Sequence, residues 1–286
     1  MEYLERRRTA IEERLEAVLD GVEPEALTEQ VRHVSLSGGK RVRPMVTVLS
    51  CESLGGDPGL DGGRGTAVDY AVGIELVHNA SLVVDDIIDA ADLRRGVTAA
   101  HVEYGHSAAI LASDGLLGEA FALFSADEAA MQAVSDAMVE LGMGEATELV
   151  AQPSNEAEYM QLARRKTGAL FRAAAELGAV AAGADPYTQE AFGEYAERVG
   201  VAFQIRDDVL DEIADPEELG KPTGHDEEME RPSIVQVTDL SPEEANQRAR
   251  DESDRALRAL ESADLQESRG ADYLRDLAEF VVVREK

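Results

Sequence analysis

Cysteine occurs once in 286 residues, at Cys51, so no disulfide can form within the chain and a secreted disulfide scaffold is excluded. Tryptophan is absent, aromatic residues make up 5%, and only nine prolines interrupt the chain. No run approaches the ~18 uninterrupted apolar residues of a membrane span. The opening MEYLERRRTAIEERLEA is charged and amphipathic, without the apolar core of a signal peptide. These absences predict a cytoplasmic protein with no membrane span. Positive charge is scarce as well. Asp and Glu total 58 against 27 Lys and Arg, a formal net charge of −31, and only four of the 27 are lysine: Lys40, Lys166, Lys221 and Lys286. So acidic a surface repels phosphates, which removes a general nucleic-acid role. The 44% apolar content supplies a sizeable core and argues against disorder. The acidic excess suits a salt-adapted cytoplasm, where counterions screen the self-repulsion.

What is abundant is Ala, Leu, Glu and Arg, all good helix formers. Apolar residues recur at three- and four-residue spacing in segments such as 4–19, 115–125, 159–182, 187–211 and 242–262. Strand-type alternation is not sustained. Gly/Pro/Asp clusters around 55–65, 152–155, 183–186 and 215–232 punctuate the helices, and no linker is long enough to divide domains. The expected fold is all-α: a single-domain antiparallel helical bundle over residues 1–286.

Two acidic motifs carry the chemistry. Asp85-Asp86-Ile-Ile-Asp89 follows the apolar run Leu82-Val83-Val84, and Asp207-Asp208-Val-Leu-Asp211 follows Ala202-Phe203-Gln204-Ile205. On a helix the first and last aspartates of each share a face, where like charges repel. Neutral acids or bound cations relieve that repulsion, and a hard divalent ion with oxygen ligands fits. Cations stand around them: Gly38-Gly39-Lys40-Arg41-Val42-Arg43-Pro44, Arg94-Arg95-Gly96, Arg164-Arg165-Lys166-Thr167-Gly168 and Leu219-Gly220-Lys221-Pro222. Three of the four lysines thus sit in glycine-flanked motifs. Carboxylates for Mg2+ beside Lys/Arg clusters describe a site for diphosphates.

These motifs resemble the trans (E)-isoprenyl diphosphate synthases, the polyprenyl synthetase family, from about Leu27 to Arg284. The signposts are GGKRVRP (38–44), LGGDP (54–58), ELVHNASLVVDDIIDAADLRRG (75–96), AAILASD (108–114), RRKTGALF (164–171), GVAFQIRDDVLD (200–211), LGKPTGHD (219–226) and LRDLAEFVVVRE. The resemblance implies a helical bundle around a deep central cavity, Mg2+ as cofactor (three ions with substrate bound), and a homodimer. Isopentenyl diphosphate and an allylic prenyl diphosphate would be its substrates. It implies that Asp85, Asp89 and Asp207 hold Mg2+ at the allylic diphosphate, with Asp86, Asp208 and Asp211 in support. Arg94, Lys166 and Lys221 would bind that diphosphate as it leaves. Lys40, Arg43, His78 and Arg95 would hold the diphosphate of isopentenyl diphosphate. Thr167 and Gln204 would line the reacting centre. Breaking the allylic C–O bond leaves a carbocation, which the isopentenyl double bond attacks before a proton is lost.

Three departures from the family stand out. Val84 replaces a frequent histidine, Glu230-Arg231-Pro232-Ser233 replaces a lysine-containing element (Arg231 standing for the lysine), and the stretch between Asp114 and Lys166 reads as trimmed near 125–158. Product length is a steric matter. The positions where the family places a bulky floor are Ala80 and Ser81, both small, with Val77, Ile74 and Tyr70 deeper. A stop at C15 is disfavoured. C20 geranylgeranyl diphosphate is the expected product, in keeping with a halophilic archaeon and its ether lipids. A longer product and a diverged non-catalytic partner subunit are the alternatives. A terpene synthase is disfavoured, because such enzymes usually lack GGKRxRP and a second full DDxxD.

Overall fold

Polar caps and small residues decide where the helices begin and how closely they pack. The computed structural model describes residues 2–63, 65–213, 232–263 and 265–283. In chain order the elements are α1 (Glu2–Leu19), α2 (Glu25–Leu36), α3 (Val42–Ser53), α4 (Ala67–Ile88), strands β1 (Leu93–Arg94) and β2 (Val97–Thr98), α5 (Ala100–Tyr104), α6 (His106–Phe124) and α7 (Glu128–Val150). There follow α8 (Glu156–Ala163), a π-helical turn (Arg164–Gly168), α9 (Ala169–Ala181), α10 (Pro186–Ile213), α11 (Ile234–Val237), α12 (Pro242–Ser262) and α13 (Arg269–Val283). Thr66, Asp127 and Asn155 cap α4, α7 and α8 by accepting backbone N–H groups of Asp69, Ala130 and Glu158. Ser241 and Glu244 form a reciprocal capping box at α12, with Pro242 just inside the helix. Each cap contributes about 1 kcal/mol.

Helix α4 is apolar almost all round because it is buried on most sides, against α3, α6 and α9. Gly73 makes its contact with α6 possible, since a Cβ there would overlap the Phe124 ring. The main core gathers α1, α3, α4, α6, α9 and α10 around residues such as Leu15, Ile74, Leu116, Leu177 and Phe192. A smaller core of Tyr159, Ile205, Val209, Ile234 and Ala245 joins α8, α10, α11 and α12 behind the second aspartate motif.

The predicted helical segments fall within α1, α6, α8–α9, α10 and α12. Two features differ from the sequence reading. The stretch that reads as trimmed holds the 23-residue α7, whose buried face (Ala130, Val134, Ala137, Leu141, Gly144) is made mostly of small side chains and gives a weak pattern. The helical composition also conceals a short antiparallel hairpin, Leu93 paired with Thr98 and Arg94 with Val97. Its two-residue turn, Arg95-Gly96, has φ of +52° and +82°, the mirror-image turn that matches strand twist. Among the described residues α6 is the one helix long and apolar enough to cross a membrane; it carries Asp114 and Glu119 and packs on α2, α4 and α5.

Candidate active site

The last turn of α4 carries the first aspartate motif, and its members diverge. Asp86 is buried and turns to the hairpin, where Arg94 Nε donates to its Oδ1 at 2.7 Å. Asp85 faces α7 and the π turn instead. Its carboxyl is pushed up to about 7, first by burial and then by Glu145, with Asp89 adding to the effect while Lys166 and Arg94 oppose it. Lys166 pairs with Glu145 at 3.3 Å and with Glu148. Gly144 allows this by bringing α7 against the backbone of Lys166, 3.1 Å from where a Cβ would stand. Glu145 Oε1 is buried without a hydrogen-bond partner.

The second motif lies on the last turns of α10 and is reached through the same π turn. Thr167 Oγ1 donates to Gln204 Oε1 at 2.7 Å, and Gln204 Nε2 donates to Asp208 Oδ1 at 2.8 Å. Asp208 is buried and accepts two further bonds at Oδ2, from Tyr159 Oη at 2.6 Å and from the Ile234 N–H at 2.9 Å. Asp207 and Asp211 lie half-buried beside it. Wider turns of the π type often mark functional positions. Here the segment turns Lys166 toward one motif and Thr167 toward the other.

A basic pocket lies two turns down α4 from Asp85. His78 on α4 meets Arg43 on α3, with Nη1 donating to Nε2 at 3.2 Å. Burial, then Arg43 and Arg95, holds the imidazole well below its ordinary range, so it is neutral at pH 7. Burial also lowers the Arg43 guanidinium to about 10, against the pull of Glu75. Arg95 Nη1 donates to the Gly38 carbonyl at 2.7 Å. The tight hairpin therefore sends its two arginines to different places, Arg94 to the aspartate motif and Arg95 to the glycine loop.

The structure brings Asp85, Glu145, Lys166, Thr167 and Gln204 into one connected site, and Arg43, His78 and Arg95 into another on the same helix. Asp86 and Asp208, expected to support the metal site, are each buried and bonded to protein donors, Arg94 in one case and Tyr159, Gln204 and the Ile234 N–H in the other. Lys40 is exposed and lines a groove of about 490 Å³ between α1, α3 and α13 with Leu4, Tyr273 and Phe280. Lys221 and Arg231 lie outside the described residues. Ala80, Val77 and Ile74 are buried along the α4–α6 contact, where Ser113 Oγ donates to the Ala80 carbonyl at 3.1 Å, and Ser81 is half-buried. Glu75, Glu145, Glu148 and Tyr159 were not singled out from sequence; only their placement in space reveals them.

Among the described residues no three His, Cys, Asp or Glu side chains form a ready-made metal cluster. The donor chemistry nevertheless fits a hard cation. Four carboxylates (Asp85, Asp89, Glu145 and Glu148) influence Lys166 or one another, and one buried oxygen among them lacks a partner. An all-oxygen, negatively charged set of this kind suits Mg2+.

The family model described as Polyprenyl synthetase matches residues 24–267. The chain belongs to the polyprenyl synthetase family. Enzymes of this family are metal-dependent trans-prenyltransferases, and the fold is the all-helical isoprenoid-synthase fold. A short chain isoprenyl diphosphate synthase of Methanothermobacter thermautotrophicus is 37% identical over 235 residues, covering 79% of this chain and 70% of the relative. A geranylfarnesyl diphosphate synthase of Aeropyrum pernix is 39% identical over 218 residues, covering 72% and 67%. The crystal structure of a geranylgeranyl pyrophosphate synthetase from Pyrococcus horikoshii superposes with a TM-score of 0.88 at 34% identity, covering 99% of this chain and 98% of that one.

Proposed function

We propose that this prenyltransferase condenses isopentenyl diphosphate head-to-tail with an allylic diphosphate to give an all-trans prenyl diphosphate, geranylgeranyl diphosphate (C20) being the main product. The reading is carried chiefly by the π turn, whose Lys166 acts electrostatically on Asp85 and whose Thr167 bonds Gln204, which in turn bonds Asp208. Asp85, Asp89 and Asp207 would hold Mg2+, three ions with substrate bound, with Asp211 in support and Asp86 and Asp208 anchoring the two helices. Bound Mg2+ supplies positive charge against the negative charge that grows on the leaving diphosphate.

The chain's own residues do the rest. Lys166, Arg94 and Lys221, with Arg231, bind the allylic diphosphate and stabilise it on departure. The Thr167–Gln204 pair fixes two polar groups beside the nascent allylic cation. Arg43, Arg95, His78 and Lys40 hold the isopentenyl diphosphate so that its double bond sits near that cation, replacing a bimolecular encounter by an oriented one. The C–O bond breaks, the isopentenyl double bond attacks the resulting allylic cation to form the new C–C bond, and a proton then leaves to the departing pyrophosphate. Neutral His78 can donate one N–H to a phosphate oxygen.

Ala80 and Ser81 are small where the family places a bulky floor, which favours C20 over shorter products. The Aeropyrum relative is named for a C25 product, and small side chains at the same wall favour that as the second reading. Exposed Ile110 and Leu111 on α6 and Val139 and Met143 on α7 support a homodimer. One domain over residues 1–286, working in a salt-rich cytoplasm, completes the proposal. Its test is one assay in high salt with Mg2+. Isopentenyl diphosphate is supplied with each allylic primer in turn, and chain length is read by mass spectrometry. A discrete C20 product is expected; folded protein that makes none with any primer would overturn the reading. Ala80→Phe should shorten the product, and an unchanged distribution would remove Ala80 from the tunnel wall.

A further inference from the structure

The basic pocket contains one carboxylate that the reaction does not use. Glu75 stands on α4 one turn before His78, is 2% exposed, and accepts Arg41 Nη1 at 2.6 Å. Arg41 is 5% exposed, and its Nη2 donates to the Ser35 carbonyl at 2.7 Å. Although Arg41 belongs to the GGKRVRP motif, its charge is thus committed inward.

The backbone explains why such an anchor is needed. Arg41 opens α3 with φ of +51°, and Gly38 and Gly39 before it have φ of +99° and +131°. Glycine adopts such angles readily, but a residue with a side chain keeps them only where its surroundings hold it. The two bonds from the Arg41 guanidinium are that hold. The loop they fix carries what the anion site is built on. Its Gly38 carbonyl receives Arg95, its Gly39 lies so close to the Arg95 guanidinium that a Cβ would stand 3.1 Å away, and Arg43 follows two residues later to meet His78.

We propose that Glu75 and Arg41 are positioning residues of the isopentenyl diphosphate pocket, their buried ion pair locking the 38–41 loop in its left-handed course so that Arg43 and Arg95 converge on one anion. The proposal rests on the assignment of that pocket made above. Removing the lock lets the loop relax, and the cations lose their common focus while the aspartate motifs two turns away keep theirs.

The test compares Glu75→Gln with the double variant Arg41→Gln/Glu75→Gln. The double variant removes both members of the buried ion pair together, so neither is left stranded by loss of the other. Thermal midpoints, kcat, and KM for each substrate are measured on the full chain in high salt with Mg2+. Both variants should raise KM for isopentenyl diphosphate about tenfold or more, with kcat and KM for the allylic diphosphate within about twofold; such a split is what misplacement of one binding site produces. Glu75→Asp, which keeps the charge, should recover part of the loss. An unchanged KM for isopentenyl diphosphate in the folded double variant, or equal losses for both substrates, would overturn the positioning role. Arg43→Ala is the reference: if it too leaves that KM unmoved, the pocket assignment fails, and the proposal with it.

Discussion

The two aspartate motifs share one spacing but are anchored by different chemistry. In each the middle aspartate is buried and serves the protein. Asp86 meets a guanidinium from the hairpin, whereas Asp208 collects three hydrogen bonds from a phenol, an amide side chain and a backbone N–H. The first anchor is an ion pair whose arginine is about a third exposed, and the second includes three uncharged donors around an enclosed carboxylate. In each motif of two adjacent carboxylates one acid is thus buried and secures the helix end, while its neighbour is only half-buried. The first motif also faces more acid, because Glu145 and Glu148 on α7 crowd the space around Lys166.

The largest effects should come from the outward carboxylates. Asp85→Asn and Asp207→Asn are each expected to lower kcat/KM by roughly a hundred- to a thousandfold while leaving the thermal midpoint nearly unchanged. If either variant stayed active, its motif would be structural only. The anchors should differ from one another in stability. Arg94→Ala strands the buried Asp86 carboxylate and should cost roughly 2 kcal/mol or more, whereas Tyr159→Phe removes one of three bonds to Asp208 and should cost about 1 kcal/mol. Equal losses in chemical denaturation would erase the distinction between the anchors. Glu145→Gln should raise the Mg2+ concentration for half-maximal activity, and weaken Mn2+ binding followed by electron paramagnetic resonance, each by a few-fold. An unaltered Mn2+ titration would show that the unpartnered oxygen has no part in cation binding.

A separate effect, on pH dependence alone, lies away from both motifs. Glu176 on α9 is pushed up from 4.5 to about 7, first by burial, against the pull of Arg172, and further by Glu190 and Asp136. Between those values the folded protein binds more protons than the unfolded chain. Stability therefore falls as pH rises through that window, by at most roughly 3 kcal/mol. Glu176→Gln should flatten the dependence between pH 5 and pH 8; a profile identical to that of the parent would assign the slope elsewhere.

Much of this was legible in the sequence, for reasons that differ by residue. Asp85, Asp89 and Asp207 were visible because local spacing sets which helix face the aspartates of a motif share, Lys166 because lysine is so scarce, and Thr167 only through the family resemblance. The burial of Asp86 and Asp208 was not, since it depends on a hairpin that the helical composition conceals and on α8 and α11, elements distant from Asp208 in the chain. Arg94 and Arg95 form one cationic dipeptide by composition; the resemblance gave them different diphosphates, and the left-handed turn at Arg95-Gly96 supplies the physical means of parting them. Glu75 lay within a quoted motif yet passed unnoticed, because a carboxylate in so acidic a chain carries no signal until its partner is seen. Helix α7 was obscured by the small size of its buried side chains.

Helix α4 has one more consequence. From Glu75 through His78 and Asp85 to Asp89 it bears the lock of one pocket, a contact in that pocket and the carboxylates of the other, all on a single rod about 20 Å long. It works as a gauge block: the interval along α4 between the His78 pocket and the first aspartate motif is set by helical rise.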